Sequence, residues 1–161
     1  MVTVSHVIVR ESGVGMARLE QIGRRFGRAL RCGDLVYLYG PLGAGKTTLV
    51  RIIAATLEVV DPVRSPSFTI ANIYEGPIPI RHLDLYRLEE IAAEDVLALE
   101  DYVSDEAVTL VEWPEAGESR LGTPAWTVRL EHEELHLRSI QIEAADEMTL
   151  RRWESAGSSG D

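Results

Sequence analysis

The sequence predicts a single α/β domain, a three-layer sandwich around a mixed central sheet. Three observations carry this. Short apolar runs of strand length alternate with helical periodicities along the chain. One run leads directly into a glycine-rich loop and a helix, and pairs of strands around tight bends add antiparallel neighbours to a parallel centre. With 161 residues, 45% hydrophobic and 26% charged, there is material for one core and too little length for a second nucleotide-coordinating lobe.

The elements follow in order. Val2–Val9 carries apolar Val2, Val4, Val7 and Val9, a first strand with a slip in phase. Met16, Leu19, Ile22, Phe26 and Leu30 recur at helical spacing, with Arg18, Arg24, Arg25, Arg28 and Arg31 on the remaining surface. Arg24, Arg28 and Arg31 share one side of that helix, either as a solvated face or as a docking surface for an acidic partner or for tRNA. Cys32–Asp34 ends the helix, Leu35–Tyr39 reads as a buried central strand, and Thr47–Leu57 is helical. Phe68–Tyr74 and Ile78–Leu85 flank Glu75–Pro77 as a hairpin, and Glu89–Leu99 reads as an acidic helix. Ala107–Val111 is a further apolar strand, stopped at Glu112–Pro114. Thr127–Leu130 and Leu135–Ile142 form a closing pair, and Ala144–Trp153 is a last helix. The domain is expected to span residues 1–153, with 154–161, rich in Ser and Gly, as a frayed tail.

Composition narrows the function. No apolar run approaches the roughly 18 residues of a membrane span, and Met1–Gly13 lacks the features of a signal peptide. A single cysteine, Cys32, can form no internal disulfide, which fits a reducing, cytoplasmic setting. A net charge of −10 disfavours a protein that coats nucleic acid electrostatically, and no DNA partner is expected, though one end could still meet RNA or an acidic partner. The charge is unevenly spread: residues 1–64 carry +4 and residues 65–161 carry −14. The one lysine is Lys46.

That lysine sits in Gly40–Thr47, a full match to G-x-x-x-x-G-K-[ST], the phosphate-binding loop (P-loop) of nucleoside triphosphatases. Glycines at Gly40, Gly43 and Gly45 permit positive φ and close approach. Backbone amides of the loop, including Leu42, Ala44 and Thr48, can then converge on a polyphosphate at a helix N-terminus. Lys46 would reach the β- and γ-phosphates, and Thr47 would ligate Mg²⁺. An acidic partner is needed at a neighbouring strand end. Glu112 follows the apolar strand and Asp84 ends the hairpin, so both are candidates for Mg²⁺ and for the attacking water, with Glu112 favoured for the metal. Trp113 reads as core or as a lid over the site. Ser65–Phe68, including Ser67, reads either as a plain turn or as a loop passing over the γ-phosphate. Guanine-reading N-K-x-D cannot occur in a chain whose only lysine lies in the P-loop, so ATP is expected over GTP.

His132–His136 fits the zinc-protease pattern H-E-x-x-H, which requires both histidines on one helix face. Its flanks alternate with period two, so it is read as a hairpin turn. His6 and His82 are read only as half-buried polar residues.

Together the stretches Gly40–Thr48, Ser65–Phe68, His82–Leu88 and Val111–Glu115 resemble the bacterial threonylcarbamoyladenosine biosynthesis ATPase family, TsaE, over about residues 15–140. The resemblance implies a small cytoplasmic ATPase, weakly active alone. Such a protein assists a TsaB–TsaD complex in placing threonylcarbamoyl on adenosine 37 of tRNAs that read ANN codons. It also implies nucleotide, Mg²⁺ and hydrolysis roles for Lys46, Thr47, Asp84 and Glu112. Ser67 stands where that family usually has threonine, and the first helix lacks the threonine that often opens it, which leaves the base contact unassigned. Two other classes share a P-loop: a kinase of a small metabolite, and a nucleotide-dependent interaction module without useful turnover. A kinase needs an arginine-bearing lid, whereas residues 88–119 contain eleven acids and no base.

Overall fold

A computed structural model describes residues 4–66, 70–88 and 98–158. Leu35–Tyr39 (β2) and Val108–Glu112 (β5) are the two apolar runs, and they pair in parallel at the centre of one sheet. Their side chains are buried on both faces, apart from half-buried Tyr39, which is why they read as continuous apolar runs instead of alternating ones. The other strands are β1 (His6–Val14), β3 (Ala71–Tyr74), β4 (Ile80–Asp84), β6 (Trp126–His132) and β7 (Arg138–Ala144), in the order β1-β7-β6-β2-β5-β4-β3. β4 joins β5 in parallel, and β6 joins β2 in parallel. The expected hairpins supply antiparallel pairs at both sides, β3 with β4 and β7 with β6 and β1.

Helices α1 (Met16–Ala29), α2 (Lys46–Thr56) and α4 (Glu147–Gly157) cover one face, burying Leu19, Ile22, Phe26, Leu49, Ile53 and Trp153 against Val36, Leu38, Leu110 and Trp126 of the sheet. The opposite face holds Leu35, Tyr37, Leu83, Leu85 and Val111 under Leu99 and Leu121. Its described cover is thin: 3₁₀ turns at Leu99–Tyr102 and Pro114–Ala116, and the single turn α3 (Glu118–Leu121). α1 lies on α2 through Gly23 and Gly27, where a Cβ would come within 2.6 Å of Ile52 and 2.9 Å of Thr56.

Two expectations need correction. Among the described residues the first strand begins at His6 and runs past Val9 to Val14 through the polar stretch Arg10–Gly13; the expected Val2 and Thr3 lie outside the described residues. This strand is, among the described residues, an edge strand paired only with β7, so it tolerates exposed polar residues, and register shifts at Val7/Val9 and Glu11/Val14 break simple alternation. The last helix does not end at Trp153 but continues to Gly157, with Ala156 buried. Arg25 of α1 holds that stretch by donating to the Trp153 carbonyl at 3.1 and 3.2 Å while stacking 4.1 Å from the Trp153 ring. Asp146 caps the start of α4, accepting the Thr149 amide at 2.8 Å. The expected Ser67, Phe68 and Thr69 and most of the expected acidic helix, residues 89–97, lie outside the described residues. Among the described residues, no helix is long and apolar enough to cross a membrane.

Candidate functional site

β2 delivers the chain to Gly40 at the carboxyl edge of the parallel strands, and the loop turns into α2. Two glycines are required there. Gly40 has φ +152°, and a Cβ on it would lie 2.4 Å from the Leu130 carbonyl oxygen of β6; Gly45 caps α2 with φ +108°. Ala44 is buried in the core behind the loop, while Leu42 is exposed at its tip. The loop opens on a cavity of about 290 Å³ that also meets Thr48, Ser65, Asp84, Glu112 and Trp113.

Parallel pairing sets Asp84 opposite Glu112 at the ends of β4 and β5, so both carboxylates leave the sheet side by side. Glu112 is 3% exposed and accepts the Thr47 hydroxyl, each carboxylate oxygen 3.1 Å from Oγ1. Thr47 Oγ1 also lies 3.1 Å from Ser65 Oγ. Asp84 stands nearer the rim and accepts the Tyr86 amide at 3.0 Å. Burial pushes the Asp84 carboxyl above its ordinary range; the Tyr86 hydrogen bond opposes this, and the Glu112 charge reinforces it.

Lys46 is 5% exposed and donates to the carbonyls of Gly40 and Pro41, the latter at 3.1 Å. Burial lowers the pKa of its ammonium, while the charges of Glu112 and Asp84 act the other way. Trp113, for which core and lid were the two readings, is partly exposed at the cavity wall. It adopts φ +54°, and its ring covers Lys46 Nζ at 4.0 Å and packs against Tyr86 at 4.8 Å.

Sequence reasoning missed two contributors. His82 is fully buried, not half-buried, and its Nε2 lies 2.5 Å from Glu112 Oε2. Period two along β4 puts it on the same face as Asp84, a signal present in the His82–Asp84 spacing. Arg138, at the start of β7, lies 3.7–3.8 Å from where a Gly45 Cβ would stand. Its Nε and Nη1 are buried without a hydrogen-bond partner among the described residues. The decoy H-E-x-x-H spans the β6–β7 turn as expected: His132 ends β6 and His136 precedes β7, so they share no helix face. Glu133 in that turn accepts the Ser12 hydroxyl and the Gly13 amide, each at 2.9 Å. On α1, Arg24 pairs with Glu20 and, with Arg28 and Arg51, lines a groove against α2; Arg28, Arg31 and Arg152 line a second groove against α4.

The crystal structure of Bacillus subtilis YdiB superposes with a TM-score of 0.77 at 24% identity, covering 98% of each chain, which establishes the fold. A protein of Mycobacterium tuberculosis named tRNA threonylcarbamoyladenosine biosynthesis protein TsaE is 37% identical over 135 residues, 74% of this chain and 80% of that one. A Streptomyces coelicolor protein of the same name is 45% identical over 102 residues, 60% of this chain and 68% of its own. The family model described as threonylcarbamoyl adenosine biosynthesis protein TsaE matches residues 15–140, which span the P-loop, both strand-end acids and Arg138; the chain therefore belongs to the TsaE family.

Proposed function

We propose that this protein binds MgATP, hydrolyses it slowly, and in doing so supports a TsaB–TsaD-type complex that modifies adenosine 37 of tRNA. The observation that carries the reading is the meeting of Thr47 and Glu112 at 3.1 Å beside Lys46, in a loop whose glycines leave room for a polyphosphate. A hydroxyl and a carboxylate are hard oxygen donors, the set that suits Mg²⁺. The two orphaned guanidinium nitrogens of Arg138 beside Gly45 add a second cationic contact, and buried donors of this kind call for an anionic acceptor.

The chain's own residues divide the work. Lys46 and the loop amides hold the β- and γ-phosphates, and Trp113 shields Lys46 from water. Thr47 and Glu112 hold the metal, which when bound supplies electrophilic charge to the phosphate oxygens. Asp84, near the cavity rim, orients the attacking water and takes its proton more readily because its carboxyl is pushed up by burial. ATP is preferred on the absence of any guanine-reading N-K-x-D. The arginines of α1 offer an acidic partner a complementary surface.

Calorimetry with MgATP and a phosphate-release assay, each with and without the TsaB–TsaD complex, test this reading. Wild type is expected to bind ATP and to release phosphate faster with the partner. Lys46→Ala is expected to abolish binding, and Glu112→Ala to slow release by about 100-fold or more with a smaller loss of affinity. Unchanged ATP affinity in Lys46→Ala would remove the phosphate-loop assignment. Binding without release would leave a nucleotide-dependent interaction module.

A further inference from the structure

The same acid that meets Thr47 is held from behind by a chain of polar groups running through an otherwise apolar layer. His82 Nε2 donates to Glu112 Oε2 at 2.5 Å, and the other ring nitrogen, Nδ1, faces the Tyr74 hydroxyl at 3.4 Å. Tyr74 is also buried, and its hydroxyl sits against the main chain of Arg64, accepting the Arg64 amide at 3.1 Å and lying 2.9 Å from the Arg64 carbonyl. Asn72, two residues before Tyr74 and on the same face of β3, donates to that carbonyl at 2.9 Å. The next residue, Ser65, meets Thr47 at 3.1 Å, and Thr47 meets Glu112. The contacts close a ring: Thr47, Glu112, His82, Tyr74, Arg64–Ser65, and back to Thr47.

A buried imidazole, phenol and carboxylate cost solvation that aliphatic side chains of similar volume would not, so the fold has no packing reason to place them here. What the ring provides is orientation. A glutamate has three side-chain torsions, and Glu112 is fixed from two sides, by Thr47 in front and His82 behind. Tyr74 then makes the placement of that carboxylate depend on where the Arg64–Ser65 segment lies.

We propose that His82 is a positioning residue for Glu112, and that through Tyr74 it ties this carboxylate to the Arg64–Ser65 segment bordering the phosphate loop. The proposal rests on the MgATP reading above. His82 touches no reacting atom; it acts by holding Glu112 in the orientation in which Glu112 and Thr47 serve one metal ion.

The test compares full-length wild type, His82→Leu, His82→Gln and Tyr74→Phe. His82→Leu fills the space without a donor, whereas the amide nitrogen of Gln reaches the place of Nε2. Two quantities are read: ATP affinity by calorimetry with and without Mg²⁺, and phosphate release with the TsaB–TsaD complex as Mg²⁺ is titrated. His82→Leu is expected to keep its Mg²⁺-free ATP affinity within about 3-fold, to need about 10–100-fold more Mg²⁺, and to lose about 10-fold or more in kcat. His82→Gln is expected to recover most of both, and Tyr74→Phe to fall between. Wild-type Mg²⁺ dependence in His82→Leu overturns the proposal. So do equal losses in Leu and Gln variants that track lowered melting temperatures, because these mark a purely structural role. Failure of the MgATP reading is distinguished by the wild-type sample, which would then bind no nucleotide or release no phosphate.

Discussion

Asp84 is a charged group placed where its own stability would not place it. Burial raises its pKa in the folded chain above the ordinary 3.8, so between that value and the raised one the folded chain holds a proton that the unfolded chain has lost. Stability therefore falls as pH climbs through that window, and the deficit persists at neutral pH. Asp84→Asn removes the charge and keeps an acceptor for the Tyr86 amide. It is expected to melt higher than wild type at pH 7, with the difference closing below about pH 4, while phosphate release slows. Thermal melts across a pH series check this; a gap of constant size would assign the effect to something other than the Asp84 charge. At this scale the sequence was legible where chemistry is contiguous. Lys46 and Thr47 lie in one unbroken motif, Glu112 closes an apolar run, and Asp84 closes the less apolar strand of the hairpin. His82 was legible only through its period-two spacing from Asp84, because its partner Glu112 lies 30 residues away; Tyr74 and Arg138 were illegible because their partners, 8 and about 90 residues away, join them only when β3, β4 and β7 take their places.

Among the elements, α1 shows how a correct periodicity leaves its neighbour unnamed. The apolar stripe Leu19, Ile22, Phe26 fixed which side is buried, but the contact with α2 is made by Gly23 and Gly27, which carry no hydrophobic signal. Their missing side chains let the helices approach, as small residues do where backbones must come close. Gly23→Leu is expected to force α1 off α2 and lower stability by about 2–3 kcal/mol, read as a lower urea midpoint, even though leucine is the better helix former. An unchanged midpoint would show that Ile52 and Leu49 can yield. The strands were read best where they are most buried, at β2 and β5. β1 was read worst, because an edge strand with two register shifts need not alternate. The Ser- and Gly-containing end of α4 looked like a tail because the arginine that holds it, Arg25, is 128 residues earlier.

Across the whole molecule, three distant stretches of the chain meet at Asp34. Its buried carboxylate accepts both terminal nitrogens of Arg152 from α4 at 3.0 Å, the Trp126 indole N–H at 3.0 Å and the Arg31 amide at 3.0 Å. One side chain thus fastens the turn after α1, the start of β6 and the last helix. Asp34→Ala leaves a guanidinium and an indole donor unpaired, and is expected to cost about 3–5 kcal/mol in urea unfolding. A loss below about 1 kcal/mol would reduce the cluster to an ordinary surface pair. The same global view bears on Lys46. Within these 161 residues it is the sole side-chain amine, and it lies beneath an indole ring and two loop carbonyls. Any acyl group or degradation tag that must be attached to a lysine side chain here has one attachment point, and attaching it removes the only ammonium of the phosphate loop. Within these residues, acylation of a lysine side chain and loss of that charge are the same event.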